Sequence, residues 1–339
     1  MNKDESAPID GLVVGAGLAG LLAAHALRQR GLRVLVVDKG RSVGGRLATR
    51  RLGPGQADHG AQFFTVRTAE FQAWVDRWQA EGLVFTWATG WSDGSLAPAA
   101  FDGPPRYAVQ GGMNALAKHL ADGLEVQNDL RLIAVQAAPD GWQAIAETGQ
   151  RYAARGLLLT PPVPQSLTLL QAGAVPLAAT DRAALARIRY APCLAGLFWV
   201  DRPPLLPEPG ALQRPGNDIP WMADNRRKGI SPDATIITVH AGAEPSRRLY
   251  EAADAKALAL LSEGLQPWLA PGTRVLEAQL KRWRYALPTV LHDEPALRAS
   301  GLHPLVFAGD AFGGPRVEGA ALSGLAAGQA LADALADPL

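Results

Sequence analysis

Three glycines and an acid early in the chain have the spacing needed to hold a phosphate and a ribose. Gly15, Gly17 and Gly20 frame Ala16, Leu18 and Ala19 as GxGxxG, between an apolar run at Leu12–Val14 and a helical pattern from Leu18 to Arg30. The first glycine permits a sharp turn, the second lets backbone approach a diphosphate, and the third lets a helix pack close to a strand. The helix N-terminus adds N–H donors and the positive end of its dipole. A second strand, "RVLVVD", ends at Asp38, 18 residues beyond Gly20 (38 − 20), with Lys39 beside it. Its carboxylate can accept from ribose hydroxyls. The alternative is a glycine-rich turn with no ligand. The strand–helix–strand frame and the acid at its end favour a dinucleotide.

A second constellation is "DHGAQFF", where Asp58 and His59 precede a glycine and then Phe63 and Phe64. An acid and an imidazole beside two aromatics suit a buried polar site better than a surface loop. The plainer reading is a turn capped by Asp58. Near the other end, Leu305–Ala308 reads as a strand, Gly309–Asp310 as a turn with a carboxylate, and Glu318–Gly319–Ala320 as the start of a helix running to about Leu335. Ala320, Ala321 and Gly324 are small enough for that helix start to lie against a bulky ring.

The elements that must position these residues come from a chain of 339 residues, 48% hydrophobic and 19% charged. That is an ordinary globular composition, long enough for two domains. Net charge +1 gives no electrostatic case for nucleic acid or an anionic membrane. Cys193 is the only cysteine, so no disulfide or multi-cysteine metal site forms within the chain. The histidines show no ligand spacing, and no metal site is expected. No stretch approaches the roughly 20 apolar residues that span a bilayer. The expected location is cytoplasmic.

After Asp38 comes "KGRSVGGRLATRR", with Gly44, Gly45 and Arg46. A Gly-Gly-Arg loop after GxGxxG resembles the amine-oxidase and hydroxylase group of flavoproteins. That resemblance implies that Gly45 and Arg46 lie along the FAD diphosphate and ribityl chain. It also implies that Asp310 takes the ribityl chain, and that Glu318, Gly319, Ala320 and Ala321 bring N–H groups to the flavin pyrimidine. Val126, in a segment 124–136 read as a strand pair, would bind adenine through its backbone. Taken with "VVGAGLAGLLAAHAL", "ADHGAQFFT", "VQGGMNALAKHL", "WMADNRRKG", "KRWRYA" and "AGDAFGGPRVEGAALSG", the sequence resembles the renalase family, bacterial type.

The renalase resemblance implies an α/β fold like that of p-hydroxybenzoate hydroxylase: a Rossmann-type FAD domain carrying an inserted α+β substrate domain. It implies non-covalent FAD and an oxidase of the 2- or 6-dihydro isomers of β-NAD(P), with O2 as second substrate and β-NAD(P)+ and hydrogen peroxide as products. It places the backbone of Gly60, Ala61 and Gln62 near the isoalloxazine edge, with Asp58 and His59 hydrogen-bonding the loop or the ribityl chain and Phe63 and Phe64 packed behind the pocket. A dihydropyridine expels hydride by its own ring-nitrogen lone pair, so the protein must position it about 3–3.5 Å from the acceptor and needs no general base.

Substrate-side candidates are Asn225 for a carboxamide, Arg226 and Arg284 for phosphates, and Trp221, His240, Trp283 and Tyr285 around a flat ring. Lys281 is the lysine to weigh for an amine-oxidase role, and is expected to be exposed. Arg226, Arg227 and Lys228 also read as a solvated loop, and Trp283 and His240 as core. The domain reading gives the FAD domain 8–64, 108–165 and 275–339, and the substrate domain 65–107 and 166–274. Two further functions stay open: a flavin amine oxidase or desaturase on another small substrate, and a non-catalytic flavin- or nucleotide-binding protein.

Overall fold

A computed structural model describes residues 9–95, 103–301 and 303–336. The chain alternates between two compact units: Met1–Gly45, Ala117–Arg189 and Pro288–Leu339 form one, and Arg46–Leu116 with Tyr190–Leu287 the other.

The first unit is built on a mainly parallel sheet. Its strands run in the order Leu297–Arg298, Leu305–Phe307, Arg151–Leu159, Ile9–Val14, Val34–Val37 and Glu125–Gln127. Val13 faces Leu158 on one side and Val36 on the other, and both pairings are parallel. Val34–Val37 is buried throughout, as expected of a strand covered on both faces. The helix Leu18–Gln29 packs along the C-terminal helix Arg316–Ala336. Gly324 and Gly328 make that approach possible, because a Cβ on either would run into the backbone of Ala19 or Ala23.

The segment 124–136 departs from the expected strand pair. Glu125–Gln127 joins Val34–Val37 in parallel, while Leu132–Ala138 pairs with Gly141–Ala146. The chain turns between them at Asp129, which is left-handed at φ 56°, and Asp129 and Leu130 donate back to the carbonyls of Gly40 and Asp38.

The second unit carries an antiparallel sheet in the order Ala211–Gln213, Trp221–Asp224, Thr235–His240, Arg189–Val200 and Val275–Val290. One face, with Leu194, Phe198, Ile237 and Val239, buries against Leu261 and Leu265 of the helix Asp254–Leu265. The other face, with Leu197 and Ile236, receives Leu52 and Ala57 from the hairpin Thr49–Leu52/Gly55–Asp58.

The borders between units differ from the sequence reading, which set them at 64, 107, 165 and 274. The structure changes unit after Gly45, Leu116, Arg189 and Leu287. The hairpin's apolar residues are half of a core layer in the second unit. Val275–Val290 is an edge strand of that unit's sheet. The helix Val163–Ala172 packs on Leu132–Ala138 and so stays with the first. Short apolar stretches do not say which of two cores will bury them. No described helix is long and apolar enough to cross a membrane.

Candidate functional site

In the first unit, each glycine of the turn has its own physical reason. Gly15 is left-handed at φ 101°, and a Cβ there would strike Thr160. A Cβ on Gly20 would strike the carbonyl of Gly15. Gly17 differs: a Cβ would meet nothing within 4 Å. Gly17 also stands at the N-terminus of its helix, which no side chain caps. The first N–H groups there are available to an anion. Gly44, left-handed at φ 114°, lies beside this turn and donates to Ala16 O at 2.8 Å.

Asp38 stitches the turn to the second strand. Its Oδ2 accepts from Ala16 N and its Oδ1 from Gly40 N, both at 2.6 Å. Reading it as a ribose ligand alone missed this scaffold role. Each carboxylate oxygen retains a second lone pair, so a ribose hydroxyl fits as well. Lys39 reaches sideways to Gln165 at 2.9 Å. A cleft of about 540 Å³ is lined by Arg41, Ser42, Val43, Lys118, His119, Val126 and Asn128. Val126 is the expected adenine residue. The cations Arg41 and Lys118 stand beside it, brought there only by the fold. At the chain's far end Gly309 donates to Ser323 Oγ at 2.8 Å, and Asp310 is buried. Glu318, Gly319, Ala320 and Ala321 occupy the start of the C-terminal helix. Gly319 is required there, since a Cβ would strike Gly314. A diphosphate at an uncapped helix N-terminus, with a carboxylate and a cleft nearby, fits a dinucleotide such as FAD.

In the second unit, "DHGAQFF" is organised around Asp58, which is fully buried. Its Oδ2 pairs with Lys228 Nζ at 2.5 Å. Its Oδ1 accepts from Thr49 Oγ1 at 2.5 Å and Met113 N at 2.8 Å. Its backbone carbonyl accepts from Thr238 Oγ1 at 2.7 Å and Gln62 Nε2 at 2.8 Å. Lys228 also donates to Gln62 O and lies 4.9 Å from the Trp87 ring centroid. Burial pushes the Lys228 pKa down, against the pull of Asp58. Lys228 is thus the counter-ion of the loop, not part of a solvated turn. The local sequence offers Arg226, Arg227 and Lys228 side by side, and nothing in it says which one turns inward.

Asn225 is equally structural. It accepts from Asp58 N at 3.2 Å and donates to Ile236 O and Thr238 Oγ1, both at 2.9 Å. With its polar atoms spent on backbone and sheet, it is not a carboxamide ligand. Arg226 is exposed, and so is Arg284, which pairs with Glu251 at 2.6 Å and covers Tyr250. Neither reaches the loop.

The loop itself lies against residues 46–48. His59 N donates to Ala48 O at 3.1 Å and Ala61 N to Arg46 O at 2.8 Å, and Gly60 has no room for a Cβ beside Arg46 O. The Arg46 guanidinium donates to Tyr285 O at 3.1 Å. Trp283 donates to His59 O at 2.8 Å, and its ring stacks on the His59 imidazole with centroids 5.3 Å apart. Tyr285 makes an edge contact with Tyr190. Burial, reinforced by Lys281, takes the His59 pKa down to about 3. Burial likewise takes His240 down to about 4, even though its ring hydrogen-bonds the His59 backbone. Both imidazoles are neutral at neutral pH. Lys281 is half-buried rather than exposed, and burial, followed by Arg50, lowers its pKa. Phe63 packs with Trp91 and Trp221, and Phe64 with Tyr107 and Phe71. Among the described residues no cluster of three or more His, Cys, Asp or Glu side chains could hold a metal ion.

Comparison with known proteins supplies the family. Residues 13–78 match the NAD(P)-binding Rossmann-like domain, and residues 79–332 match the flavin-containing amine oxidoreductase family. Lysine-specific histone demethylase 1 homolog 2 of Oryza sativa subsp. japonica is 59% identical over 46 residues, a stretch that is 14% of this chain and 6% of that protein. The fold is similar to that of cyclohexylamine oxidase from Brevibacterium oxydans IH-35A (TM-score 0.72, 14% identity, 97% of this chain and 100% of that one). It is also similar to putrescine oxidase bound to putrescine (TM-score 0.67, 16% identity, 97% and 99%). With a family match over most of its length, and with a Rossmann-type unit fitted to a dinucleotide, the chain belongs to the flavin-containing amine oxidoreductase family.

Proposed function

We propose that this oxidoreductase is a renalase-like oxidase of the 2- or 6-dihydro isomers of β-NAD(P), with a p-hydroxybenzoate-hydroxylase-like fold and FAD held non-covalently, in the cytoplasm. The observation that carries the reading is the state of the loop around Asp58. Its carboxylate is neutralised by Lys228, and its two imidazoles are weak bases with pKa values of about 3 and about 4. Such a site is poorly equipped to attract a cationic amine or to remove a proton from carbon. It is suited to a flat ring that releases hydride unaided, flanked by His59 stacked on Trp283.

Bound flavin would supply hydride acceptance at N5 and reoxidation by O2 to hydrogen peroxide. The chain's own residues do the rest. The first unit's uncapped helix N-terminus and Asp38 would hold the diphosphate and ribose. In the second unit, the Asp58–Lys228 pair fixes the loop 59–62, and Trp283 orients His59. Non-covalent binding is supported by Cys193, the one cysteine, whose thiol burial pushes up to about 12 and makes a poor nucleophile.

A flavin amine oxidase is the second reading. Half-buried Lys281 with its lowered pKa favours it, as does the family to which the chain belongs. Turnover separates the two. The first reading expects one hydrogen peroxide and one β-NAD(P)+ for each dihydro isomer consumed, and none from putrescine or cyclohexylamine. Peroxide from the amines alone would overturn it.

A further inference from the structure

Around the peptide Asp58–Gly60 several buried polar atoms have no hydrogen-bond partner: Gln62 Oε1, His240 Nε2, Trp221 Nε1 and His59 Nδ1. Buried polar atoms are normally paired, so a group of orphans in one place points to a ligand. The fold brings these residues together. Trp221 and His240 are direct partners on neighbouring antiparallel strands, so their side chains share a face. Ala195, the partner of His240 on its other side, is small. The His240 ring bonds to the His59 backbone. Gln62 Nε2 is spent on Asp58 O at 2.8 Å and Gly60 O at 3.2 Å, the carbonyls either side of His59. Because that amide must point its nitrogen at two carbonyls, its oxygen is the atom left over.

The orphans have a definite chemical signature. His240 gives one ring N–H to a backbone carbonyl and is neutral, so its Nε2 is an acceptor. Gln62 Oε1 is a second acceptor. Trp221 Nε1 can only donate. Of the four atoms, Gln62 Oε1, His240 Nε2 and Trp221 Nε1 make two acceptors and one donor, which complement a primary carboxamide with its two N–H donors and one carbonyl oxygen. A carboxylate brings no donor, and a methyl ketone satisfies the indole alone. His59, flat against Trp283, provides a ring surface beside them.

We infer that Gln62, His240 and Trp221 form a subsite for the primary carboxamide of an aromatic or dihydroaromatic ring. This rests on the proposed reading and names the part of the substrate it recognises. Asn225, the carboxamide candidate of the sequence, has no free polar atom for the task.

The test is calorimetric titration of the flavin-loaded protein with benzamide, benzoate and acetophenone, which differ only in the group on the ring. Benzamide is expected to bind about tenfold or more tighter than either, since losing hydrogen bonds to buried acceptors costs at least that factor. Trp221→Phe keeps a ring in place and removes the donor. It is expected to weaken benzamide and acetophenone alike by about fivefold or more, whereas Trp268→Phe, a half-buried indole whose N–H is also unpartnered, should change neither. Equal binding of benzamide and acetophenone by the unaltered protein overturns the subsite, whatever the variants do. Benzamide binding unchanged in Trp221→Phe overturns it too. No turnover is needed, so the two claims fail separately. Selective benzamide binding in a protein that no dihydro-NAD(P) isomer reduces keeps the subsite and removes the substrate. Reduction by those isomers without amide selectivity does the reverse.

Discussion

The glycine turn of the first unit and the Asp58 loop of the second are held in shape by opposite means. The turn works through backbone. Its glycines lie within six residues, and Asp38 holds it through the Ala16 backbone N–H. The loop works through side chains from distant parts of the chain, Asp58 meeting Lys228 170 residues later and His59 meeting Trp283 after 224. A backbone site is specified by local spacing. A side-chain site is specified by a fold that has already formed.

The largest effect should come from breaking the side-chain site. Lys228→Met leaves a carboxylate buried without its partner and is expected to cost about 3–5 kcal/mol, read from chemical denaturation midpoints. Adding Asp58→Asn removes the second charge and should restore much of the loss. If the double variant is no better than the single, the pair is not the organising contact of the loop.

The backbone site should divide sharply between two neighbouring glycines. Gly20→Ala drives a Cβ into Gly15 O and should cost about 2–3 kcal/mol, together with flavin retention. Gly17→Ala meets only open space and should change stability by less than about 0.5 kcal/mol. Its FAD dissociation constant should nonetheless rise about tenfold, because the diphosphate needs that space. Loss of stability in Gly17→Ala, or unchanged FAD affinity, would remove the phosphate role from that glycine.

Titration gives a third contrast. His59 and His240 have folded pKa values near 3 and 4, below the ordinary value of 6.5. The unfolded chain therefore binds more protons between those limits, and stability is full above about pH 6.5 and falls as the pH drops toward 4. The two together should remove about 2–3 kcal/mol between pH 7 and 5.5. Melting temperatures across that range should fall in the unaltered protein and fall less in His59→Phe, which keeps the stack on Trp283. An identical pH slope in the variant would show that His59 is not buried as a neutral ring. The smallest effect belongs to Arg284→Ala. Its ion pair with Glu251 is exposed on both sides, so less than about 1 kcal/mol and no change in turnover are expected.

Legibility in the sequence follows the same line. The dinucleotide turn, both of its strands and the C-terminal helix could be read because each is announced by residues close together. The substrate side could not be resolved residue by residue. Asn225 has the right chemistry for a carboxamide, but its neighbours use all of it. Arg284 and Trp283 are adjacent on one strand and face opposite ways, one to solvent and one to His59. The pairing of Lys228 with Asp58 depends on which of three consecutive cations turns inward. Only the assembled sheet and hairpin decide that.

Anaerobic rapid mixing tests the functional account most directly. The purified yellow protein is combined with the 2- and 6-dihydro isomers of β-NAD(P) in one set of runs, and with putrescine and cyclohexylamine in another. The account expects the flavin absorbance to bleach with one equivalent of a dihydro isomer and to hold steady with the amines. Bleaching by the amines, with the dihydro isomers inert, would contradict it.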